Sequence, residues 1–143
     1  MIANLLGPLA PSDLELPFYA WRVPAGFPSP CDDHLESSLS LDALMDIRAP
    51  HTYLVRASGD SMTGAGIFDG DLLVVDRSRQ AQPGEIVIAA LNAEPLVKIF
   101  DREGDQLVLR SANPKYPPCF ILEGDELAVW GVVRFSIRAH GGG

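Results

Sequence analysis

The chain has few basic residues and few of the residues that usually hold metals. Its 143 residues include 11 lysines and arginines against 19 aspartates and glutamates, which gives a formal net charge of −8 at pH 7. Nucleic-acid affinity depends on neutralising phosphates with lysine and arginine, so this balance argues against direct binding of nucleic acid. His34, His51 and His140 show no ligand spacing with each other or with the cysteines, and we expect neither a metal nor another cofactor.

Cysteines and long apolar runs are also scarce, which bears on where the protein works. Cys31 and Cys119 are the only two cysteines, and because they form no close pair the sequence requires no disulfide. A reducing, cytoplasmic compartment is the simpler interpretation. Residues 1–10 are apolar but lack a basic region, and no apolar run approaches the roughly 20 residues of a membrane span. We therefore expect neither a signal peptide nor a membrane anchor.

The sequence changes in character near residue 50. Prolines are concentrated before that point, at Pro8, Pro11, Pro17, Pro24, Pro28 and Pro30. Proline is disfavoured in helix interiors and in central strands, so residues 1–50 are interpreted as an extended, mobile N-terminal arm. Within the arm, the run Ser40–Met45 predicts one short helix, with Ser38 or Ser40 as its N-cap.

From Thr52 onward, short apolar segments alternate with glycine, proline and aspartate turns. The predicted strands are Tyr53–Ala57, Leu72–Asp76, Ile86–Leu91, Leu96–Asp101, Leu107–Ser111, Phe120–Leu122 and Leu127–Ile137. Closely spaced strands without helices between them indicate a mainly β fold, a small, partly closed antiparallel barrel or sandwich. We assign this folded domain to residues 51–140.

Two residues of this domain, Ser61 and Lys98, have the chemistry of a peptidase. A serine hydroxyl is a weak nucleophile until a base takes its proton, and a lysine can be that base only if its pKa is lowered. Alternation along a strand puts Leu96, Lys98 and Phe100 on one face, and burial between two apolar side chains would lower the Lys98 pKa. Taken alone, the two residues are more simply interpreted as a turn serine and a surface lysine.

The order of the motifs around these residues is more specific. The tetrapeptide GDSM at 59–62 is followed by DGD at 69–71, PGE at 83–85 and then the strand that carries Lys98. In this order the motifs resemble the LexA/UmuD family (peptidase family S24) of self-cleaving Ser–Lys peptidases, and within it the UmuD-type SOS mutagenesis proteins. The resemblance extends from about residue 23 to residue 133 and implies a fold like the LexA C-terminal domain.

The resemblance also implies a role for each candidate site residue. Ser61 would be the nucleophile, and Lys98 the general base that later returns the proton to the leaving amine. The backbone amides of Asp60 and Ser61 would form the oxyanion hole. We assign the Asp60 carboxylate no proton transfer, because an aspartate at this position is typical of a turn or a cap.

The expected substrate is the arm itself, cut between Ala25 and Gly26 at the position that matches the scissile bond of the family. Both residues are small enough to enter a tight cleft, and glycine lets the backbone bend there. Pro24 and Pro28 would keep the segment extended for docking as a strand. Without the resemblance, an ordinary turn between prolines would be the simpler interpretation.

Only about 25 residues precede this bond, too few for the helix-turn-helix domain of a repressor. The resemblance to UmuD-type proteins then implies a homodimer that cleaves itself under stimulation by an activated RecA filament on single-stranded DNA. The shortened form would join a UmuC-type Y-family polymerase in translesion synthesis and SOS mutagenesis.

Two alternatives stay open at this point. One is a LexA-like or phage-repressor-like regulator that cleaves itself but lacks a DNA-binding domain. The other is a non-enzymatic binding module in which Ser61 and Lys98 are incidental. Replacing Lys98 with alanine separates the peptidase from the module, because a module would keep its processing and its partner binding.

Overall fold

The structure is a computed structural model that describes residues 1–8, 15–19, 35–47 and 50–141. Its strands are β1 (Ile2–Pro8), β2 (Glu15–Tyr19), β3 (Leu35–Ser40), β4 (Thr52–Ser58), β5 (Leu72–Asp76), β6 (Ile86–Leu91), β7 (Glu94–Glu103), β8 (Gln106–Arg110), β9 (Cys119–Phe120) and β10 (Leu127–Ile137). One helix, α1 (Leu41–Met45), and a short 3₁₀ turn, Thr63–Ala65, accompany them. Among the described residues, no helix is long and apolar enough to cross a membrane.

Six of the strands form a closed antiparallel barrel. The neighbours in the sheet follow the order β1-β4-β5-β10-β6-β7, and Ile2 of β1 lies opposite Leu96 of β7, which closes the ring. Strands β8 and β9 continue the sheet outward from β7, while β2 and β3 form a separate two-stranded sheet. The predicted mainly β fold with an antiparallel barrel is confirmed.

Alternate side chains of the barrel strands form the core, as the two-residue period of a strand requires. The interior cluster contains Val55, Ala57, Leu73, Val75, Ile88 and Val97, together with Met62 and Ile67 from the loop after β4. A second cluster contains Val87, Ala89, Phe100, Leu109 and Val132. Because neighbouring residues of β6 belong to different clusters, both faces of that strand are buried, which explains its unbroken apolar sequence.

The longest strand, β10, pairs with β6 through its first half and with β5 through its second half. Its register shifts twice, between Val129 and Gly131 and between Val133 and Phe135, and such bulges bend a strand and increase its twist. A Cβ atom on Gly131 would lie 2.6 Å from Val75 Cγ1, so the bend needs glycine at this position.

The strands predicted from residue 52 onward agree with the structure to within about two residues at every end. The cap expected at Ser40 is also present, since its Oγ accepts a hydrogen bond from the Ala43 N–H at 3.3 Å. The proline argument did not anticipate β1, in which Pro8 is the last residue and so ends the strand without interrupting it. The division of the chain into an arm and a domain at residue 50 stays a prediction.

Candidate active site

Ser61 lies in a tight turn between β4 and the 3₁₀ turn, and it is only 2% exposed. The next side chain, Met62, is fully buried in the barrel core and fixes the turn against it. On the other side, the Gly59 N–H donates to Asp69 Oδ1 at 2.9 Å. The Ser61 turn is therefore held both by packing and by a hydrogen bond that it donates to the following loop.

Two backbone hydrogen bonds tie this turn to the segment after β8. The Ala112 N–H donates to the Ser61 carbonyl at 2.8 Å, and the Gly64 N–H donates to the Ala112 carbonyl at 2.6 Å. A Cβ atom on Gly64 would lie 2.4 Å from that carbonyl oxygen, so the close approach requires glycine. These contacts set the position of Ser61 relative to residues 111 and 112.

Side chains from the same segment hold Asp60. The Asn113 side-chain amide donates to the Asp60 carbonyl at 2.9 Å, and the Tyr116 hydroxyl donates to the Asp60 carboxylate. The hydrogen bond from Tyr116 is the main reason why the pKa of Asp60 lies below its usual value. Lys115 Nζ lies 3.7 Å from the same carboxylate. These contacts fix the Asp60 backbone and carboxylate, and the expectation that the carboxylate transfers no proton stays a prediction.

Lys98 reaches the same region from β7. The register of β7 with β8 pairs Phe100 with Leu109 and Ile99 with Arg110, so its continuation puts Ser111 opposite Lys98. Lys98 Nζ donates to Ser111 Oγ at 2.7 Å, and it lies 5.9 Å from the centre of the Tyr116 ring.

The environment of Lys98 favours its neutral form. The side chain is partly buried, and this desolvation lowers its pKa from the ordinary value, while the nearby Cys119 opposes the shift. A lowered pKa is what the apolar neighbours of Lys98 in the sequence predict. It is also what a lysine needs in order to accept a proton near neutral pH.

The Met1 amino group links the two candidate residues. It donates to Ser61 Oγ at 2.6 Å in a buried position. Burial lowers the pKa of this amino group most, and the positive charge of Lys98 lowers it further. Met1 thus contacts Ser61 directly. Lys98 is linked to the same turn by adjacent residues, since it donates to Ser111 while the Ala112 N–H donates to the Ser61 carbonyl.

Sequence reasoning missed two of these neighbours. Ser111 was predicted only as the end of a strand, and pairing that strand with the one that carries Lys98 would have placed it beside the amine. Met1 was assigned to the arm, and no local signal points to its place at Ser61. The use of the Asp60 and Ser61 amides as an oxyanion hole stays a prediction, and the expected cleavage site, Ala25 and Gly26, lies outside the described residues.

The described part of the chain contains no group of three or more histidine, cysteine, aspartate or glutamate side chains placed to hold a metal ion. The groups that the structure describes at the site are a buried hydroxyl, a lysine whose pKa is lowered, and the backbone amides of a tight turn. This set is suited to acyl transfer through a serine ester.

Comparison with known proteins relates the chain to one peptidase family. The sequence pattern of the family described as Peptidase S24-like matches residues 17–134. Protein SamA of Salmonella typhimurium is 40% identical over 128 residues, which cover 90% of this chain and 89% of SamA. Protein ImpA of Escherichia coli is 40% identical over 123 residues, which cover 85% of this chain and 83% of ImpA.

Repressors are similar over only part of their length. The LexA repressor of Bordetella avium is 38% identical over 129 residues, which cover 90% of this chain but 60% of the repressor. The chain thus spans less than two thirds of the LexA repressor and most of the SamA and ImpA proteins. The matches to the family pattern and to these relatives agree with the barrel fold and with the expected resemblance. The chain belongs to the S24-like peptidase family, a family of self-cleaving serine peptidases.

Proposed function

We propose that Ser61 and Lys98 form the Ser–Lys dyad of a peptidase that cuts its own chain between Ala25 and Gly26. The observation that carries this proposal is the placement of a buried serine and a partly buried lysine of lowered pKa against the adjacent residues Ser111 and Ala112. Membership of the S24-like family supports the same chemistry.

In the proposed reaction, neutral Lys98 takes the proton from Ser61 Oγ, which attacks the carbonyl carbon of Ala25. The amides of Asp60 and Ser61 stabilise the negative charge that develops on the carbonyl oxygen. The Ala25–Gly26 C–N bond then breaks, and Lys98 returns the proton to the leaving amine of Gly26. Water, activated by the same lysine, hydrolyses the Ala25 ester of Ser61 and frees the serine.

Ser111 acts on this reaction through Lys98 and is a positioning residue. A neutral lysine has two N–H donors and one lone pair, and the lone pair must face Ser61 when the proton moves. The hydrogen bond of 2.7 Å from Lys98 Nζ to Ser111 Oγ fixes the rotation of the amine and leaves the lone pair available. The fixed orientation of the amine raises the cleavage rate beyond what its proton affinity alone would give, because proton transfer depends on the alignment of the lone pair.

The biological role that we propose is SOS mutagenesis in the cytoplasm. A RecA filament on single-stranded DNA stimulates the cleavage, and the shortened homodimer joins a UmuC-type Y-family polymerase in translesion synthesis. The resemblance to UmuD-type proteins supports this role, as does the near-full coverage of SamA and ImpA. The identity of 38% with a LexA repressor supports a self-cleaving regulator as the second candidate.

Mass spectrometry of the intact protein tests the chemistry. Purified full-length chain is incubated with and without an activated RecA filament, beside the variants Ser61→Ala and Lys98→Ala. We expect fragments 1–25 and 26–143 from the unsubstituted chain and none from either variant. The controls Ser136→Ala and Arg134→Ala change an exposed serine and an exposed cation of β10 that the mechanism does not use, and both should cleave normally.

The outcome also separates the alternatives. Normal processing of Lys98→Ala would contradict the dyad and favour the binding module. If cleavage occurs, co-purification with a Y-family polymerase separates the mutagenesis protein from the regulator. The polymerase should be retained by the 26–143 fragment, and failure to retain it would favour the regulator.

A further inference from the structure

The first strand, β1, lies between β4 and β7, the two strands that position the candidate dyad. Ser61 follows β4 and Lys98 lies on β7, and β1 is the strand that separates β4 from β7 in the barrel. Along its length β1 pairs with β4, from Ile2 opposite Ser58 to Pro8 opposite Tyr53. Without β1 the facing edges of β4 and β7 would offer unpaired N–H and C=O groups to another extended segment.

The end of β1 occupies the space in which a substrate must react. The Met1 nitrogen lies 2.6 Å from Ser61 Oγ, and the Val97 N–H donates to the Met1 carbonyl at 2.9 Å. A carbonyl carbon that Ser61 attacks must come within about 3–3.5 Å of the same oxygen. With Met1 in place Ser61 is only 2% exposed, so a scissile peptide cannot reach this oxygen unless Met1 is displaced.

The two edges of β1 are held unequally. Pairing with β4 extends over most of the strand, whereas the pairing with β7 is confined to Ile2 opposite Leu96. The side chains of Met1 and Ala3 are 8% and 5% exposed and pack in the barrel core, while Ile2 is 49% exposed. The strand is thus anchored mainly by alternate side chains and by its pairing with β4, and leaving the groove breaks that pairing as well as the few hydrogen bonds to β7.

We propose that β1 is an internal inhibitor of self-cleavage, which occupies the strand-binding groove of the scissile segment and has to leave it before Ala25–Gly26 can dock. This inference rests on the proposed function. The occupant that replaces β1 is an extended peptide segment of this chain, bound through main-chain hydrogen bonds along the edges of β4 and β7. The cleavage rate is then the rate of the open form multiplied by the fraction of molecules in which β1 has left.

Two adjacent residues of β1 give a matched pair of variants. Ala3→Glu puts a carboxylate into the core and disfavours the docked strand, while Ile2→Glu adds the same charge on the exposed face. We expect Ala3→Glu to cleave about tenfold faster or more, and Ile2→Glu to cleave at the original rate. Hydrogen exchange of residues 1–8 reports whether β1 has left. Release of β1 in Ala3→Glu without faster cleavage would overturn the proposal.

A reversible cross-link tests the same point in a molecule with β1 held in place. Asn4 and Arg56 are directly opposite in the β1–β4 pairing. Opposite residues of an antiparallel pair have Cα atoms about 4.5–5.5 Å apart, which is within the range of a disulfide. The double variant Asn4→Cys, Arg56→Cys is prepared with Cys31 and Cys119 changed to serine, so that only the intended disulfide can form.

We expect the oxidised cross-linked protein to cleave at least about tenfold more slowly than the same protein after reduction. Samples are quenched and reduced before their masses are measured, so a cut that the disulfide bridges is still detected. Equal rates in the two forms would overturn the proposal. If fragment 1–25 forms in no variant and not in the unsubstituted chain, the proposed function fails, and the inference fails with it.

Discussion

A single methyl group at Gly64 should separate the Ser61 turn from the segment that carries Ser111. The Cβ atom of Gly64→Ala would lie 2.4 Å from the Ala112 carbonyl oxygen, whereas ordinary contact begins at 3.4 Å. One of the two backbones must therefore move by about 1 Å, the difference between these distances. Overpacking of this kind costs about 1–3 kcal/mol of folding free energy. A displacement of about 1 Å at the reacting groups can cost about 100-fold in rate.

The measurement has two parts and a matched control. Urea denaturation gives the free energy of unfolding, and the formation of fragment 26–143 gives the rate under conditions where the variant is fully folded. Gly104→Ala, in the turn between β7 and β8, has a φ of 62° and open space around it. We expect it to cost about 1–2 kcal/mol of stability through backbone strain but to cleave normally. A folded Gly64→Ala that cleaves as fast as Gly104→Ala would refute the positional argument.

Two further predictions concern the neighbours of Lys98 and a buried carboxylate. Ser111→Ala should lower the maximal cleavage rate several-fold and move the pH profile of cleavage to lower pH, because the Lys98 ammonium loses a hydrogen-bond acceptor that stabilises it. Ser111→Thr keeps a hydroxyl and should retain the original profile. An unchanged profile in Ser111→Ala would exclude the positioning role. Arg138→Met should destabilise the protein by about 1–3 kcal/mol at neutral pH, because Asp71 is 2% exposed and accepts hydrogen bonds of 3.0 and 3.1 Å from Arg138. The pKa of Asp71 is lowered mainly by Arg138, so the stability difference in urea denaturation should be largest above the ordinary value of 3.8 and shrink as the pH falls through the lowered pKa. The contacts of Arg138 with the Gly66 carbonyl and the Phe68 ring do not depend on this protonation, and a difference that stays the same at all pH values would contradict this account.

The parts of the fold that depend on local pattern could be predicted from the sequence. The apolar run of β6 and the alternation around Lys98 identified two neighbouring strands and the reason for a lowered pKa. The predicted strand Tyr53–Ala57 puts Ser61 in the connection that follows it, and the structure has Ser61 in the turn after β4. Each of these features depends on residues that are close together in the sequence.

The features that were missed depend on long-range pairing. Ser111 lies beside Lys98 because of the register between β7 and β8, which no single segment specifies. Strand β1 was missed because the prolines that follow it dominate the composition of the first 30 residues, while its partners, β4 and β7, lie about 50 and about 90 residues further along the chain. Barrel closure is a property of the whole sheet, so the strand propensity of a single segment does not predict it.

The pH dependence of self-cleavage tests the central claim about Ser61 and Lys98 most directly. The rate of formation of fragment 26–143 is measured from about pH 6 to about pH 10 in the unsubstituted chain, Lys98→Ala and Ser61→Ala. A lysine that acts as a base must be neutral, so the cleavage rate should rise with pH and level off above the apparent pKa of Lys98. That apparent pKa should lie below the ordinary 10.5, because burial lowers the pKa of Lys98. Neither variant should cleave at any pH in this range. Cleavage by Lys98→Ala at the rate of the unsubstituted chain, or a rate that does not change with pH, would contradict the account.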